Sequence, residues 1–213
     1  MVAEGNAQPT RCGFAGDEAP GAPRVYVLPA PVAPAGAPPE AARRLARQHA
    51  RAALRHLLAH DLGCAPEAID LSDTRGQPVR AAGHERIGLS ISHEHVLSLL
   101  ALCPDGAVGV DVARVPAASD ADELRRAAHL FLGPNVAAAL DQQAHEATFL
   151  IAFAAAWAAH EARLKCIGRP LVEWSPALSA RLAGVRSAAV ELPPWAAADH
   201  VAAVAWRAAG LGG

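Results

Sequence analysis

A chain of 213 residues, 52% hydrophobic and 19% charged, is long enough to bury a substantial core and too apolar to be disordered. Its formal net charge of -2 lacks the basic surplus of a general nucleic-acid binder, so no nucleic-acid partner is expected. Aromatics make up only 4%, so the core must rest on Leu, Val, Ile and the abundant Ala, with a few large anchors.

Residues 1–23 are rich in Gly, Pro and Ala without periodicity and predict a mobile tail. RVYVL, 24–28, predicts a short strand, and PAPVAPAGAPPE, 29–40, a Pro-rich connector. Pro38 and Pro39 suit a helix entry, where a missing N–H costs nothing, and a helix is expected over about 40–60. Its apolar positions Leu45, Leu54, Leu57 and Leu58 fall largely on one face. Residues 61–82 read as loop, with RGQP as a turn signal. IGLSISHE and VLSLLALC predict two strands joined by a short turn. Pro104-Asp105-Gly106 turns the chain into a third, AVGVDVARV, 107–115. Helices are expected over 120–132, 137–143 and 145–167, then strands at VRSAAVEL and HVAAVAWRA. The pattern is α+β, with a boundary between 24–106 and 107–213 and a long helix and a few strands in each part.

Cys12, Cys64, Cys103 and Cys166 are scattered with no CxxC pair, which argues against a zinc cluster or a disulfide framework. MVAEGNAQPTRCG has neither the basic start nor the apolar run of a signal peptide. The uncharged run Ala147 to Ala159 has thirteen residues, whereas a membrane span needs about 20. A cytoplasmic protein with no membrane partner is expected.

Four groups of residues could carry chemistry. In GVDV, alternation sends Val108, Val110 and Val112 to one face and Gly109, Asp111 and Ala113 to the other. Asp111 is then either an edge-strand acid facing water or an acid with small neighbours that leave room for a ligand. On the long helix, Phe149, Phe153, Trp157, Glu161 and Lys165 recur every four residues. The final pair is either a helix-end Glu–Lys pair or an acid and a base delivered to a cleft. In SISHEH, His93 is a turn histidine or a phosphate contact, and His93 with His95 would make a zinc pair only with a third ligand. On the early helix, Arg43, Arg47, Arg51 and Arg55 form a stripe with Arg44 beside it, which is either a solvated face or a contact for an anionic ligand.

GVDV and the WxxxEAxxK pattern of Trp157, Glu161, Ala162 and Lys165, about fifty residues further on, resemble the paired signatures of the 4′-phosphopantetheinyl transferases. SISHEH resembles the family's Ser-His segment, RGQP its Gly-Lys-Pro turn, and HVAAVAW its final strand; the likeness spans roughly 40–207. The length is similar to that of the longer, pseudo-duplicated, monomeric type. That resemblance implies two similar subdomains related by a pseudo-two-fold, each a small antiparallel sheet with a long helix. It implies transfer of the phosphopantetheine arm of coenzyme A to a serine of an apo acyl or peptidyl carrier protein, releasing adenosine 3′,5′-bisphosphate. It also implies Mg²⁺ held by Asp111 and Glu161, with Asp111, Glu161 and Lys165 catalytic, and Ser92, His93, Lys165, Arg44, Arg47, Arg51 and Gln77 contacting coenzyme A. Three positions depart from the family pattern: Ala113 where a second strand acid often stands, His160 where Lys is frequent, and Gln77 for the lysine of the turn. They keep open an alternative, a catalytically weakened protein of the same fold that binds coenzyme A or a carrier domain.

Overall fold

The computed structural model describes residues 8–34, 36–72, 74, 77–117 and 121–208. Within them run strands β1 (Thr10–Cys12), β2 (Arg24–Pro29), β3 (Gly88–His93), β4 (Leu97–Cys103), β5 (Gly106–Arg114), β6 (Arg186–Ala189) and β7 (His200–Ala208). The helices are α1 (Pro39–Leu62), α2 (Ala121–Ala127), α3 (Pro134–Asp141), α4 (Glu146–Cys166), α5 (Pro176–Leu182) and α6 (Pro194–Ala197). The strands form two antiparallel sheets, in the orders β1-β2-β4-β3 and β5-β7-β6, so the α+β expectation holds.

Every residue of β4 is buried, because the strand is covered on both faces. Leu100 and Leu102 pack with Leu54 and Leu58 of α1, whereas Leu97 and Leu99 face the second sheet. The α1 helix opens with Pro39 at its first position and closes at Gly63, whose φ of 65° is the left-handed cap that glycine tolerates. On the second sheet the same division recurs. Val108, Val110 and Val112 of β5, with Val204 and Trp206 of β7, meet the first sheet, while Ala203 and Ala205 turn to α4. Burial on several sides of α4, from Phe149 to Cys166, explains its long uncharged run.

Two seams join the sheets. At one, β3 lies beside β5 without a backbone ladder, and serine hydroxyls bridge the gap: Ser90 Oγ accepts from Val110 N–H at 3.0 Å and Ser92 Oγ from Val112 N–H at 3.4 Å. At the other, Phe14 pairs with Val190 and Gly13 C=O accepts from Glu191 N–H at 2.9 Å. The expected mobile tail over 1–23 is therefore corrected from Thr10 onward; residues 1–7 lie outside the described residues. A long-range pairing holds this segment, and local composition carries no trace of such a partner. Phe14 is 5% exposed and meets Trp206 edge-on at 5.4 Å between ring centroids. Replacing it with alanine empties a core position, so Phe14→Ala is expected to lose about 3–5 kcal/mol in urea unfolding. An unchanged midpoint would mean that the segment does not pack in solution.

Four helices differ from expectation, the short α6 (Pro194–Ala197) among them, since only strands are expected after residue 167. The helix predicted over 120–132 is α2 followed by a π-helical turn, Ala128–Leu132, while Asp120 lies outside the described residues. The α3 helix begins earlier than 137, because Gly133 at φ 84° turns the chain and Pro134 starts the helix. The α5 helix was not expected, although Ser175 caps it by accepting from Leu178 N–H at 3.2 Å. Among the described residues no helix is long and apolar enough to cross a membrane.

Candidate active site

The glycine of GVDV positions the site. A Cβ on Gly109 would collide with the carbonyl oxygen of Ala162 and lie 2.6 Å from Cys166 N and 2.9 Å from Lys165 Cβ. Its lack of a side chain lets the backbone of α4 rest directly on β5. The sequence expectation of ligand space on this face is therefore corrected at Gly109, where the helix fills the room. Two residues along β5, the same face opens into a cleft of about 660 Å³. Asp111 and Ala113 of β5, Glu161 and Lys165 of α4, and Ser92 and His93 of β3 all line it.

The period-four line on α4 is present and drifts. Each four-residue step rotates by about 40° around the axis. Phe153, Trp157, Glu161 and Lys165 reach the cleft, whereas Phe149 has rotated into the core and is fully buried. The rings of Phe153 and Trp157 stack at 5.7 Å, and Phe131 meets Trp157 edge-on at 5.7 Å. With Leu124 and Ala127 of α2, Phe153 and Trp157 give the cleft an apolar wall beside its charged floor.

Asp111 is 8% exposed, which settles the open choice: it is a buried acid in the cleft, not an edge-strand acid in water. Its Oδ1 accepts from Lys165 Nζ at 2.7 Å and from Ser92 Oγ at 2.8 Å. Lys165 Nζ also donates to Val110 C=O and Ser92 Oγ, each at 3.2 Å, so its three N–H donors are all engaged. Glu161 makes no such bond among the described residues. Burial raises its pKa above the ordinary glutamate value, the nearby Asp111 charge adds to the rise, and Lys165 partly opposes it. Asp111 and Glu161 thus share one cleft in which Lys165 is bonded to Asp111, while Glu94 and Arg114 also stand in the lining. All-oxygen donors that repel one another fit a hard divalent cation, which keeps waters and phosphate oxygens as its remaining ligands. Among the described residues no third His, Cys, Asp or Glu completes a metal cluster, and the cleft position two residues after Asp111 is Ala113.

His93 presents over a third of its surface to solvent yet lines the cleft, near enough to Arg47 and Lys165 to feel both charges. Lost hydration and these two cations push its imidazole down to about 4, so it is neutral at ordinary pH. Its Nδ1 lies 2.8 Å from Ser98 Oγ, which orients the ring and leaves Nε2 for a ligand. His95 does not join it: β3 ends at His93, so the two histidines share no strand face. His160 is buried and outside the cleft lining, its pKa lowered by burial and then by Arg163.

The arginine stripe divides. Arg51 Nη2 donates to Leu71 C=O at 2.9 Å and Ser72 C=O at 2.8 Å, and Arg55 Nε donates to Ile69 C=O at 3.0 Å. These two hold the loop after α1. Arg43, Arg44 and Arg47 are exposed, and Arg47 is near enough to His93 to disfavour its charge. Neither Arg44, Arg47, Arg51 nor Gln77 lines the cleft itself. Gln77 is exposed in a turn whose next residue, Pro78, approaches Gly168 at the end of α4; Arg75 and Gly76 of RGQP lie outside the described residues. Residues that sequence reasoning missed are Glu94, Arg114, Leu124 and Ala127 in the lining, and Ser90 at the seam. The alternation in SIS was a usable signal for Ser90, since it sets two hydroxyls on one strand face.

Residues 107–206 match the family model described as the 4′-phosphopantetheinyl transferase superfamily. The match contains Asp111, Glu161 and Lys165 and leaves out Ser92, His93 and the arginine stripe. No curated protein matches the chain.

Proposed function

We propose that the chain moves the arm of coenzyme A onto a serine of an apo acyl or peptidyl carrier protein, a reading supported by the match of residues 107–206 to the 4′-phosphopantetheinyl transferase superfamily model. The observation that carries this reading is the approach of α4 to β5 at Gly109, which sets Glu161 and Lys165 beside Asp111. The serine oxygen would bond to the phosphorus that bears pantetheine. The bridging oxygen would leave with adenosine 3′,5′-bisphosphate, and the serine proton would pass to Glu161, the cleft carboxylate that makes no hydrogen bond among the described residues.

Asp111 and Glu161 would hold Mg²⁺, which when bound supplies charge neutralisation for the pyrophosphate. Lys165 would exchange one of its three present contacts for a phosphate oxygen and stabilise the leaving group. Neutral His93 would give a hydrogen bond from Nε2, and exposed Arg44 and Arg47 would meet the 3′-phosphate, for which planar guanidinium donors are suited. Arg51 and Gln77 are weaker candidates for that contact, since one already holds a loop and the other stands off the cleft. The reading includes subdomains at 24–106 and 107–213 with α1 and α4 in comparable places, and a cytoplasmic monomer.

The test is incubation with coenzyme A, Mg²⁺ and a panel of apo carrier proteins, followed by intact mass. Mass gain equal to one phosphopantetheine is expected on at least one carrier, and no gain on any of them rejects the proposal. Ala113 favours one alternative, a binder with weakened catalysis. Tight coenzyme A binding by calorimetry without transfer would select it.

The raised pKa of Glu161 gives a pH prediction with a definite sign. The folded protein holds this proton more tightly than the unfolded chain, so Glu161 lowers fold stability as pH rises from the ordinary glutamate value through its raised one. A bound cation requires the charged form and reverses that preference. Apparent Mg²⁺ affinity is expected to fall as pH drops through the raised value, with proton release on binding. Calorimetry in buffers of different ionisation enthalpy measures that release, and zero net release at a pH inside this window contradicts the assignment.

A further inference from the structure

Ser92 belongs to the segment that family resemblance assigns to coenzyme A, yet its hydroxyl points away from such a role. Ser92 is 5% exposed. Its Oγ donates to Asp111 Oδ1 at 2.8 Å, accepts from Lys165 Nζ at 3.2 Å and accepts from Val112 N–H at 3.4 Å. A serine hydroxyl has one proton to give and two lone pairs to share. All three are used within the protein, and no capacity is left for a phosphate. The three partners are the β5 acid, the α4 lysine and the backbone of β5, so one hydroxyl on the first sheet touches both charged groups delivered by the second.

We propose that Ser92 is a positioning residue for Asp111: it pins Oδ1 toward Lys165 and so presents Oδ2 to the cation and substrate. Among the described residues no hydrogen bond reaches Oδ2, in keeping with an oxygen kept for a ligand. This inference rests on the transfer reading for its activity readout and on Asp111 as a cation ligand for its binding readout. Ser90 supplies an internal control. It stands two residues earlier on β3, accepts from Val110 N–H at 3.0 Å and spans the same seam. It is absent from the cleft lining and, among the described residues, makes no hydrogen bond to a charged side chain. Loss of either hydroxyl removes one stitch between the sheets; only loss of Ser92 unpins Asp111.

The experiment compares wild type, Ser92→Ala, Ser90→Ala and Ser92→Cys, the last nearly isosteric with a weaker donor. Four quantities are read: Mn²⁺ affinity by electron paramagnetic resonance, coenzyme A affinity by calorimetry with chelator present, transfer kinetics, and the unfolding midpoint. For Ser92→Ala we expect Mn²⁺ affinity to fall by about tenfold, the lower end of what outer partners of a metal ligand are worth. The kcat should fall with it, and metal-free coenzyme A affinity should stay within about twofold of wild type. Ser92→Cys should lie between. Ser90→Ala should shift the unfolding midpoint comparably and leave Mn²⁺ affinity alone. The proposal is overturned if Ser92→Ala loses coenzyme A affinity without losing Mn²⁺, or if it matches Ser90→Ala in every readout. Wild type that binds Mn²⁺ but transfers no arm would defeat the transfer reading, and the Mn²⁺ comparison alone would then decide the role of Ser92. Wild type that binds no Mn²⁺ would overturn the positioning role together with the two-carboxylate cation site.

Discussion

Glu161→Gln is expected to lower phosphopantetheine transfer by about 10²–10⁴-fold, the range associated with loss of a positioned proton acceptor. It is expected to leave the unfolding midpoint unchanged or raised. The two halves follow from one observation. Burial and the Asp111 charge both work against an ionised Glu161, with Lys165 only partly compensating. Glutamine keeps the shape and removes the charge that the folded state disfavours, so stability has nothing to lose. Asp111→Ala should abolish transfer to a similar degree and behave differently in stability. Its carboxylate is the shortest contact of Lys165 Nζ and the acceptor of Ser92 Oγ–H, so its loss unpairs that hydroxyl proton and one of the three N–H donors of Lys165. Leaving such groups without partners costs about 1–3 kcal/mol. Side-chain exposure of 32% lets Lys165 turn toward solvent, which keeps the loss at the lower end. Denaturant unfolding and the mass assay on both variants check this. Transfer at wild-type rates by both variants would remove the site, and a large destabilisation by Glu161→Gln would show that its carboxylate is satisfied rather than strained.

That asymmetry between two acids of one site could not be read from the sequence, where each is one carboxylate in a motif. Local signals did identify most elements. The Pro-Asp-Gly turn and alternating valines gave β5, and paired prolines gave the start of α1. The period of four on α4 found the residues that line the cleft and included Phe149, because the drift of about 40° per step only decides membership once the helix has a neighbour. What stayed hidden depends on partners far along the chain. Phe14 looks like part of a Gly- and Pro-rich tail until Val190 and Trp206 are beside it. Arg51 and Arg55 look like part of one anion-binding stripe until the carbonyls of Ile69, Leu71 and Ser72 take their N–H groups. A local signal was available and missed at α5, where Ser175 followed by Pro176 is a sound cap and first-turn pair.

Gly109→Ala carries the second large effect, and it acts through backbone alone. The residue has no positive φ and needs no glycine for its own conformation. Its role is to be thin. An added methyl carbon would overlap the Ala162 carbonyl oxygen and crowd Cys166 N at 2.6 Å, both parts of the α4 backbone and unable to rotate aside. The helix must therefore move off β5, and it carries Glu161 and Lys165 with it while Asp111 stays on its strand. Displacement by about 1 Å is enough to reduce a positioned reaction by about 10²-fold. Overpacking of this kind costs about 1–3 kcal/mol of stability. The expected result is a folded, less stable protein with transfer reduced by about 10²-fold or more. Its Mn²⁺ affinity should also be weakened, because the two carboxylates no longer converge. Metal-free coenzyme A affinity separates this from general damage: the His93 and arginine contacts proposed for it lie on the first sheet and α1, so it should change far less than transfer does. Equal losses in all three measurements would mean that the variant has disturbed the whole cleft, and wild-type transfer would mean that the close approach of helix and strand is not what builds the site.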